Sequence, residues 1–124
     1  MKQVLLVGIG GFTGSIFRYL AYLWIDRRFV GVFPLSTFLV NVLGSLVLGF
    51  IIGLFVKSNI SPDLRLFLGV GVCGSFTTFS TFAMENVSLI GQKYIMTSVA
   101  YTLASLVLGM LMAFAGYWIG KTVL

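Results

Sequence analysis

The segment 74–82, with the sequence GSFTTFSTF, interrupts a stretch that is otherwise apolar enough to cross a membrane. Hydrocarbon supplies no water to backbone groups, so a hydroxyl- and glycine-rich interruption persists there only where protein or a wet cavity satisfies it. Transport proteins use such broken helices to direct carbonyl and amide groups at ions near the bilayer midplane. The segment therefore predicts a site that handles an ion. The alternative is a kinked helix whose hydroxyls bond to its own carbonyls.

Two stripes of polar residues accompany this segment. Thr37, Asn41 and Ser45 follow at intervals of four residues and so share one face of a helix. Tyr101 and Ser105 repeat the interval further along the chain. A side-chain amide in hydrocarbon requires partners, so Asn41 either holds two helices together or presents an N–H donor to a pore. We expect both stripes to face the interior of the protein.

Phe79 and Phe82 are three residues apart and share a face wherever the backbone is helical. Phenylalanine usually serves packing, but the edge of an aromatic ring carries positive potential. Two ring edges beside hydroxyls and an amide would attract a small anion without a fixed charge. Conduction favours such moderate attraction, because a transported ion must leave as well as enter.

Arg18 and Glu85 are the ionisable residues expected within or near the hydrocarbon. Arg18 would anchor its helix at the headgroups or draw anions into a vestibule. Glu85 would carry protons or offer a hydrogen-bonding group at the mouth of a pathway. The chain has no histidine, one cysteine and three acidic residues, so zinc sites, catalytic triads and two-carboxylate hydrolysis are unsupported. We expect neither an enzyme nor an organic cofactor.

Membrane-spanning helices must position these residues. Of the 124 residues, 59% are hydrophobic and 9% are charged, and the mean hydropathy is +1.09. A domain surrounded by water needs a more charged surface. Four apolar runs, at 4–25, 34–56, 64–90 and 94–123, each reach the roughly 20 residues that cross about 30 Å of hydrocarbon. We predict an all-α membrane protein, a single four-helix domain over 1–124 whose third helix is broken mid-membrane.

The positive charges are nearly balanced across the bilayer. If the helices alternate, one side carries Lys2, Lys57, Arg65 and Lys121, and the other carries Arg27, Arg28 and Lys93. Orientation normally follows an excess of Lys and Arg on the cytoplasmic side, so the chain either follows a weak bias or inserts in both orientations. Dual topology would let copies pair antiparallel. The net charge of +5 belongs to loops and termini and predicts no nucleic-acid partner.

Glycine pairs four residues apart, at 10/14, 49/53 and 116/120, permit close approach of helices. Four short helices enclose little on their own, so we expect an oligomer.

In these residues the chain resembles the Fluc (also called CrcB) fluoride channels over its entire length. The resemblance rests on GGxxGSxxR at 10–18, STFLVNxxG at 36–44 and, most specifically, GSFTTFSTFxxE at 74–85. It implies an antiparallel, dual-topology homodimer with two pores in the inner (plasma) membrane. Each pore would let cytoplasmic fluoride leak out passively through a multi-pass protein. A heterodimer with a sister subunit remains an alternative.

The resemblance also implies residue roles. The residues similar to those of the fluoride path are Asn41, Thr78, Phe79, Ser80, Thr81, Phe82, Tyr101 and Ser105. Those expected at the vestibule are Arg18, Thr37 and Glu85. Gly74 and Thr77 match residues whose backbone carbonyls, two from each subunit, hold a structural sodium ion (Na+) at the dimer centre.

Two positions depart from the family pattern. Ser75 stands where a second glycine is frequent, and Gly109, which continues the stripe of Tyr101 and Ser105, stands where a hydroxyl is frequent. Ser75 would leave the break intact, because the sodium contacts are made by the backbone. Gly109 removes one hydrogen-bonding station, so conduction would rely more on Ser105.

The competing interpretation from another class is a small multidrug-type proton-coupled exporter of similar size. Such exporters need a carboxylate embedded in the first helix, and 4–25 contains none. A non-transporting scaffold would leave the aligned polar stripes unexplained.

Overall fold

The computed structural model describes residues 1–123, and helices are the only regular secondary structure in that range. In chain order they are α1 (Lys2–Arg28), α2 (Leu35–Lys57), α3 (Pro62–Arg65), a π-helical stretch (Leu66–Cys73), α4 (Gly74–Phe76), α5 (Phe79–Gly91) and α6 (Ile95–Val123). The pieces from Pro62 to Gly91 together form one membrane-length segment, called the third segment below. With α1, α2 and α6 it makes four helices long and apolar enough to cross a membrane. The expectation of an all-α protein with four such helices is confirmed.

The connections between helices contain the residues that start and stop them. Pro34 precedes α2, and Pro62 occupies the first turn of α3, where its missing N–H is not needed. Ser61 caps α3, because its Oγ accepts a hydrogen bond from Leu64 N at 3.3 Å. Lys93 adopts the left-handed conformation, with a φ of 65°, in the tight turn between α5 and α6.

The third segment changes conformation close to its middle. Helical structure stops at Phe76 and resumes at Phe79. Thr77 has φ −80° and ψ 154°, and Thr78 has φ −148° and ψ 116°, so both are extended. Gly74 is right-handed helical, with φ −62° and ψ −31°. The change of direction therefore uses two threonines and not the conformational freedom of Gly74.

The glycines of α2 and α6 bring these two helices into backbone contact. A Cβ built on Gly49 would meet the carbonyl oxygen of Ala113, and one built on Gly116 would meet that of Leu46. Gly53 and Gly120 continue the same seam one turn further on, which is how small residues let membrane helices pack closely. The glycine pairs at 49/53 and 116/120 are thus used within the chain.

A second glycine contact joins α1 to the π-helical stretch. A Cβ built on Gly71 would lie 2.8 Å from Gly10 Cα. At the start of the same two helices, Lys2 Nζ forms an ion pair with Asp63 Oδ2 at 2.6 Å. These contacts show that α1 and the third segment run in the same direction.

The remaining contacts show the direction of α2 and α6. A Cβ built on Gly53 would lie 2.9 Å from Lys121 N, so the last turns of α2 and α6 are neighbours. Hydrogen bonds from α2 to the last turns of α1, Thr37 to Tyr22 and Ser36 to Asp26, make α1 and α2 a hairpin. The four segments therefore alternate in direction along the chain.

We predict that Gly116→Ala will destabilise the protein by about 1–3 kcal/mol, because the added methyl group meets backbone that cannot move aside. The measurement is the midpoint of thermal unfolding of the purified protein in detergent. Gly8→Ala is the matched control, since a Cβ at Gly8 meets nothing within 4 Å and alanine favours the helix more than glycine does. Equal midpoints for the two variants would contradict close packing of α2 on α6.

Candidate functional site

The side chain of Asn41 pairs with the extended backbone of Thr78. Asn41 Nδ2 donates to Thr78 O at 3.0 Å, and Thr78 N donates to Asn41 Oδ1 at 2.8 Å. The carboxamide thus supplies the acceptor that Thr78 N lacks, as an interruption away from water requires, and adds a donor to the Thr78 carbonyl. Only one of the two amide N–H groups is used in this pair. Holding two helices together and donating a hydrogen bond to an ion are therefore compatible roles for Asn41.

The restart of the helix at α5 is capped by Thr78. Its Oγ1 accepts a hydrogen bond from Thr81 N at 3.3 Å and donates to Thr81 Oγ1 at 3.0 Å. In an unbroken helix, Thr78 N would bond to Gly74 O and Thr81 N to Thr77 O. Those donors are directed elsewhere, to Asn41 Oδ1 and to Thr78 Oγ1. The carbonyls of Gly74 and Thr77 are thus deprived of their usual helical donors.

A groove beside the interruption encloses a cavity of about 260 Å³ and is open at the protein surface. Its lining is uncharged throughout the described residues and combines an amide, hydroxyls and aromatic rings. Its polar and aromatic lining residues include Asn41, Ser45, Thr78, Phe79, Phe82 and Ser105. An uncharged polar lining attracts an ion without trapping it.

Two hydroxyls on α6 lack partners although they are buried. Within residues 1–123, Tyr101 Oη and Ser105 Oγ have no hydrogen-bond partner, and Tyr101 is fully buried. Buried polar atoms in proteins are nearly always bonded. The two hydroxyls lie one helical turn apart, and Ser105 lines the cavity, so its O–H is a free donor there.

Aromatic rings run from the cavity into the protein. The ring centroids of Phe79 and Phe82 are 5.8 Å apart, and those of Phe82 and Tyr101 are 5.0 Å apart. Phe33, in the α1–α2 connection, continues the row with its centroid 5.4 Å from that of Tyr101. Phe79 is 79% exposed, so the outer end of the row is uncovered in a single chain.

A second polar cluster lies one to two turns further along α5. Thr37, which is buried, donates to Glu85 Oε1, and its Oγ1 lies 2.7 Å from Tyr22 Oη. Thr37, Thr81 and Glu85 line a second cavity of about 290 Å³. Glu85 also lines a third cavity of about 360 Å³, beside Ser88 and Tyr94. The three cavities thus follow α5 from the interruption to its far end.

Asn86 ties α5 to α6 at the level of these cavities. Its Oδ1 accepts hydrogen bonds from Ser98 Oγ at 2.6 Å and Thr102 Oγ1 at 3.1 Å. Its Nδ2 donates to Phe82 O at 3.1 Å. This amide fixes the position of Phe82 relative to α6.

The sequence-predicted site residues divide into three groups in the structure. Around the first cavity lie Asn41, Thr77, Thr78, Phe79, Phe82 and Ser105. Around the second lie Thr37, Thr81 and Glu85, and Tyr101 packs between Phe33 and Phe82. Four predicted residues line none of these cavities: the buried Tyr101, the half-buried Arg18, and the exposed Gly74 and Ser80.

Sequence reasoning did not assign a site role to several residues that the structure brings into these clusters. They are Tyr22, Asp26, Ser36, Ser45 and Asn86. A usable signal existed for Ser45, which continues the stripe of Thr37 and Asn41. For Tyr22 and Asn86 there was none, because their partners lie on other helices.

Comparison with known proteins adds an independent line of evidence. Residues 5–117 match a family model described as CrcB-like protein, Camphor Resistance (CrcB). The chain is 44% identical over 117 residues, 94% of each protein, to the fluoride-specific ion channel FluC of Rhizobium meliloti. It is 42% identical to FluC 2 of Bacillus thuringiensis subsp. konkukian, over 97% of this chain and 98% of the relative. For FluC of Phocaeicola vulgatus the identity is 40%, over 98% of this chain and 100% of the relative.

We predict that Asn41→Ala will leave the Thr78 N–H without an acceptor, because Asn41 Oδ1 is its partner in the structure. Leaving the pair unmade should cost about 1–3 kcal/mol of stability. Hydrogen–deuterium exchange in lipid nanodiscs should show faster exchange in peptides that cover 77–79.

Asn86→Ala is the control for this measurement. It removes an amide with three hydrogen bonds, one more than the Asn41 side chain makes, but from the contact between α5 and α6. Exchange at 77–79 should stay slow in that variant. Slow exchange at 77–79 in Asn41→Ala as well would contradict the assigned pairing.

Proposed function

This chain belongs to the CrcB family, and on that premise we propose that it is a passive fluoride-selective channel that lets cytoplasmic fluoride leave down its electrochemical gradient. Its named relatives are ion channels, so the family is not an enzyme family, and the chain is a multi-pass membrane protein. The observation that carries the proposal is the buried Ser105 Oγ, which has no hydrogen-bond partner in the described chain and lines an uncharged cavity, with the unpartnered Tyr101 Oη one helical turn away.

Fluoride is small and strongly hydrated, so a pore must replace its water with hydrogen-bond donors. The hydroxyls of Tyr101 and Ser105 are available for this, because they have no partner in the described chain. The second N–H of Asn41 is a further donor at the same cavity. None of these groups carries a charge, so the ion is stabilised without being held permanently.

The phenylalanine rings contribute a second kind of stabilisation. Phe79 and Phe82 both line the cavity, and their rings are tilted by 42° to each other. The edge of each ring carries positive potential, so an anion is attracted to ring edges and repelled by ring faces. Asn86 holds the Phe82 carbonyl, which limits the positions that the helix beneath this ring can adopt.

A second copy of the chain is proposed to cover the groove. In a lone chain the open side would bring lipid tails against Asn41 and Ser45, and unsatisfied polar groups in hydrocarbon are costly. The alternating helices and the balanced cations favour insertion in both orientations. We infer an antiparallel homodimer in the plasma membrane with one pore at each of its two grooves.

The same proposal includes a structural sodium ion at the dimer centre. The carbonyls of Gly74 and Thr77 are suited to it, because their usual helical donors bond elsewhere and a hard cation prefers oxygen ligands. When bound, sodium would neutralise the carbonyl dipoles that the interruption leaves unpaired. Asn41 and the Thr78 hydroxyl would prepare this site, because they bind the two backbone N–H groups that would otherwise occupy the carbonyls of Gly74 and Thr77.

The competing exporter has no support in α1. The only acidic residue of this helix is Asp26, which lies in its last turn and is paired with Ser36 of α2. An exporter that exchanges protons for a substrate needs a carboxylate deeper in the membrane, where both the protons and the substrate can reach it.

We predict that liposomes containing the purified protein will release fluoride but not chloride. With a potassium ionophore present to carry the compensating charge, the release should need no gradient other than that of fluoride, because the proposed path exchanges no second ion. A fluoride-selective electrode measures the efflux, and a chloride electrode measures the matched sample. Absence of fluoride efflux from liposomes that contain folded protein would refute the proposed function.

Variants of the aromatic row refine this measurement. Phe82→Ile should reduce efflux to the level of empty liposomes, because the ring edge at the cavity is lost while the volume stays apolar. Phe114→Ile is the control, since Phe114 packs on Trp118 with ring centroids 6.3 Å apart and lines none of the cavities. Unchanged efflux from Phe82→Ile and Phe79→Ile would remove the aromatic rings from the path.

We predict that sodium stabilises the assembled protein, because a ligand that binds the folded state raises its unfolding temperature. The unfolding midpoint in detergent should rise with sodium chloride and not with potassium chloride at the same ionic strength. Native mass spectrometry of the two samples should show the dimer retained longer in sodium. Identical midpoints in the two salts would contradict the sodium site.

A further inference from the structure

The glycine seam sets one register along the whole contact between α2 and α6. Gly49 lies against Ala113, and Gly53 lies against Tyr117. One turn earlier the same register pairs Ser45 with Gly109, and a further turn earlier it pairs Asn41 with Ser105. The structure bears out both of these pairs. A Cβ built on Gly109 would lie 3.8 Å from Ser45 Oγ, and Asn41 and Ser105 line the same cavity.

The polar stripes of the two helices therefore meet side by side, but they are unequal at one level. At the level of Asn41 and Ser105, each helix supplies a hydrogen-bonding group. At the next level, α6 has only the hydrogen atom of Gly109, while α2 has the hydroxyl of Ser45. Ser45 also lines the first cavity. Of these two helices, only α2 therefore offers a side-chain donor to an ion at the level of Gly109.

The hydroxyl of Ser45 is free to change partner. In the structure it donates to Asn41 O, one turn back on its own helix, at 2.7 Å. That carbonyl also accepts the regular helical hydrogen bond from Ser45 N, so it stays satisfied when the hydroxyl rotates away. The alternation needs only a rotation about χ1 and no movement of α2. The backbone seam beneath it, at Gly49 and Gly116, keeps the distance to α6 constant.

We propose that Ser45 coordinates the conducted fluoride at the level of Gly109, taking the place of the hydroxyl that α6 lacks there. The inference rests on the proposed function and adds to it a donor from α2. It also accounts for the glycine at position 109. The Ser45 hydroxyl lies beside Gly109 and would supply the donor at that level.

The test transfers the hydroxyl from one helix to the other. Ser45→Ala should slow fluoride efflux from liposomes about tenfold, as expected for losing one hydrogen bond to a charged ligand. The double variant Ser45→Ala, Gly109→Ser should recover most of the wild-type rate. A serine side chain has room at 109, because its Cβ would meet the Ser45 side chain only at ordinary van der Waals distance. Ser45→Ala, Gly109→Ala is the matched control and should remain slow.

Each outcome bears on the proposal. Rescue by Gly109→Ser supports it, because a structural role of Ser45 within α2 would not be restored from α6. A wild-type rate in Ser45→Ala, or a failure of Gly109→Ser to rescue, overturns it while leaving the channel function intact. No efflux from the folded wild-type protein overturns both. If Ser45→Ala does not fold, Ser45→Cys keeps the shape with a weaker donor, and a full rate in that variant overturns the proposal.

Discussion

The paired hydrogen bonds between the Asn41 carboxamide and the Thr78 backbone are the contact on which the rest of the site depends. An extended residue inside a membrane-length helix leaves its N–H without the helical acceptor, and hydrocarbon does not replace that acceptor. The Asn41 side chain from α2 accepts this N–H and also donates to the carbonyl of the same residue. Because Thr78 is fixed in this way, its hydroxyl can cap α5, and Phe79 and Phe82 follow at the cavity. Removing the pair would remove the reason for the helix to stop where it does.

Some hydroxyl and amide groups in the protein have hydrogen-bond partners and others do not. Asn86 and Thr37 use their hydrogen-bonding groups on neighbouring helices, and they hold α5 in place. Tyr101 and Ser105 do not, although both hydroxyls are buried. A buried polar group without a partner lowers stability, and under the proposed function a bound ion offsets this cost. In the proposed channel the satisfied groups thus form the scaffold, and the unsatisfied ones are donors for the ion.

Much of this arrangement could be predicted from the sequence. Apolar length and turn residues predict four spanning helices, and the hydroxyl-rich segment 74–82 points to the place where the third segment changes conformation. The interval of four residues correctly groups Asn41 with the polar stripe that reaches the cavity. These features are local, so the order of residue types along the chain is sufficient to predict them.

The rest depends on contacts between distant parts of the chain. Nothing in the sequence indicates that Thr77 and Thr78 would be extended while Gly74 stays helical. That outcome requires the amide of Asn41, on another helix, to lie beside Thr78. The partners of Asn86 and Tyr22 lie on other helices, so their roles follow only from the packed structure.

The parallel seam of α2 and α6 has consequences for synthesis. Since α6 follows α2 and the third segment in the chain, the amide of Asn41 has its partner Thr78 in the bilayer before α6 is made, but the glycine face of α2 stays unpaired until α6 is inserted. The glycine seam is therefore the last of these helix contacts to become possible during synthesis.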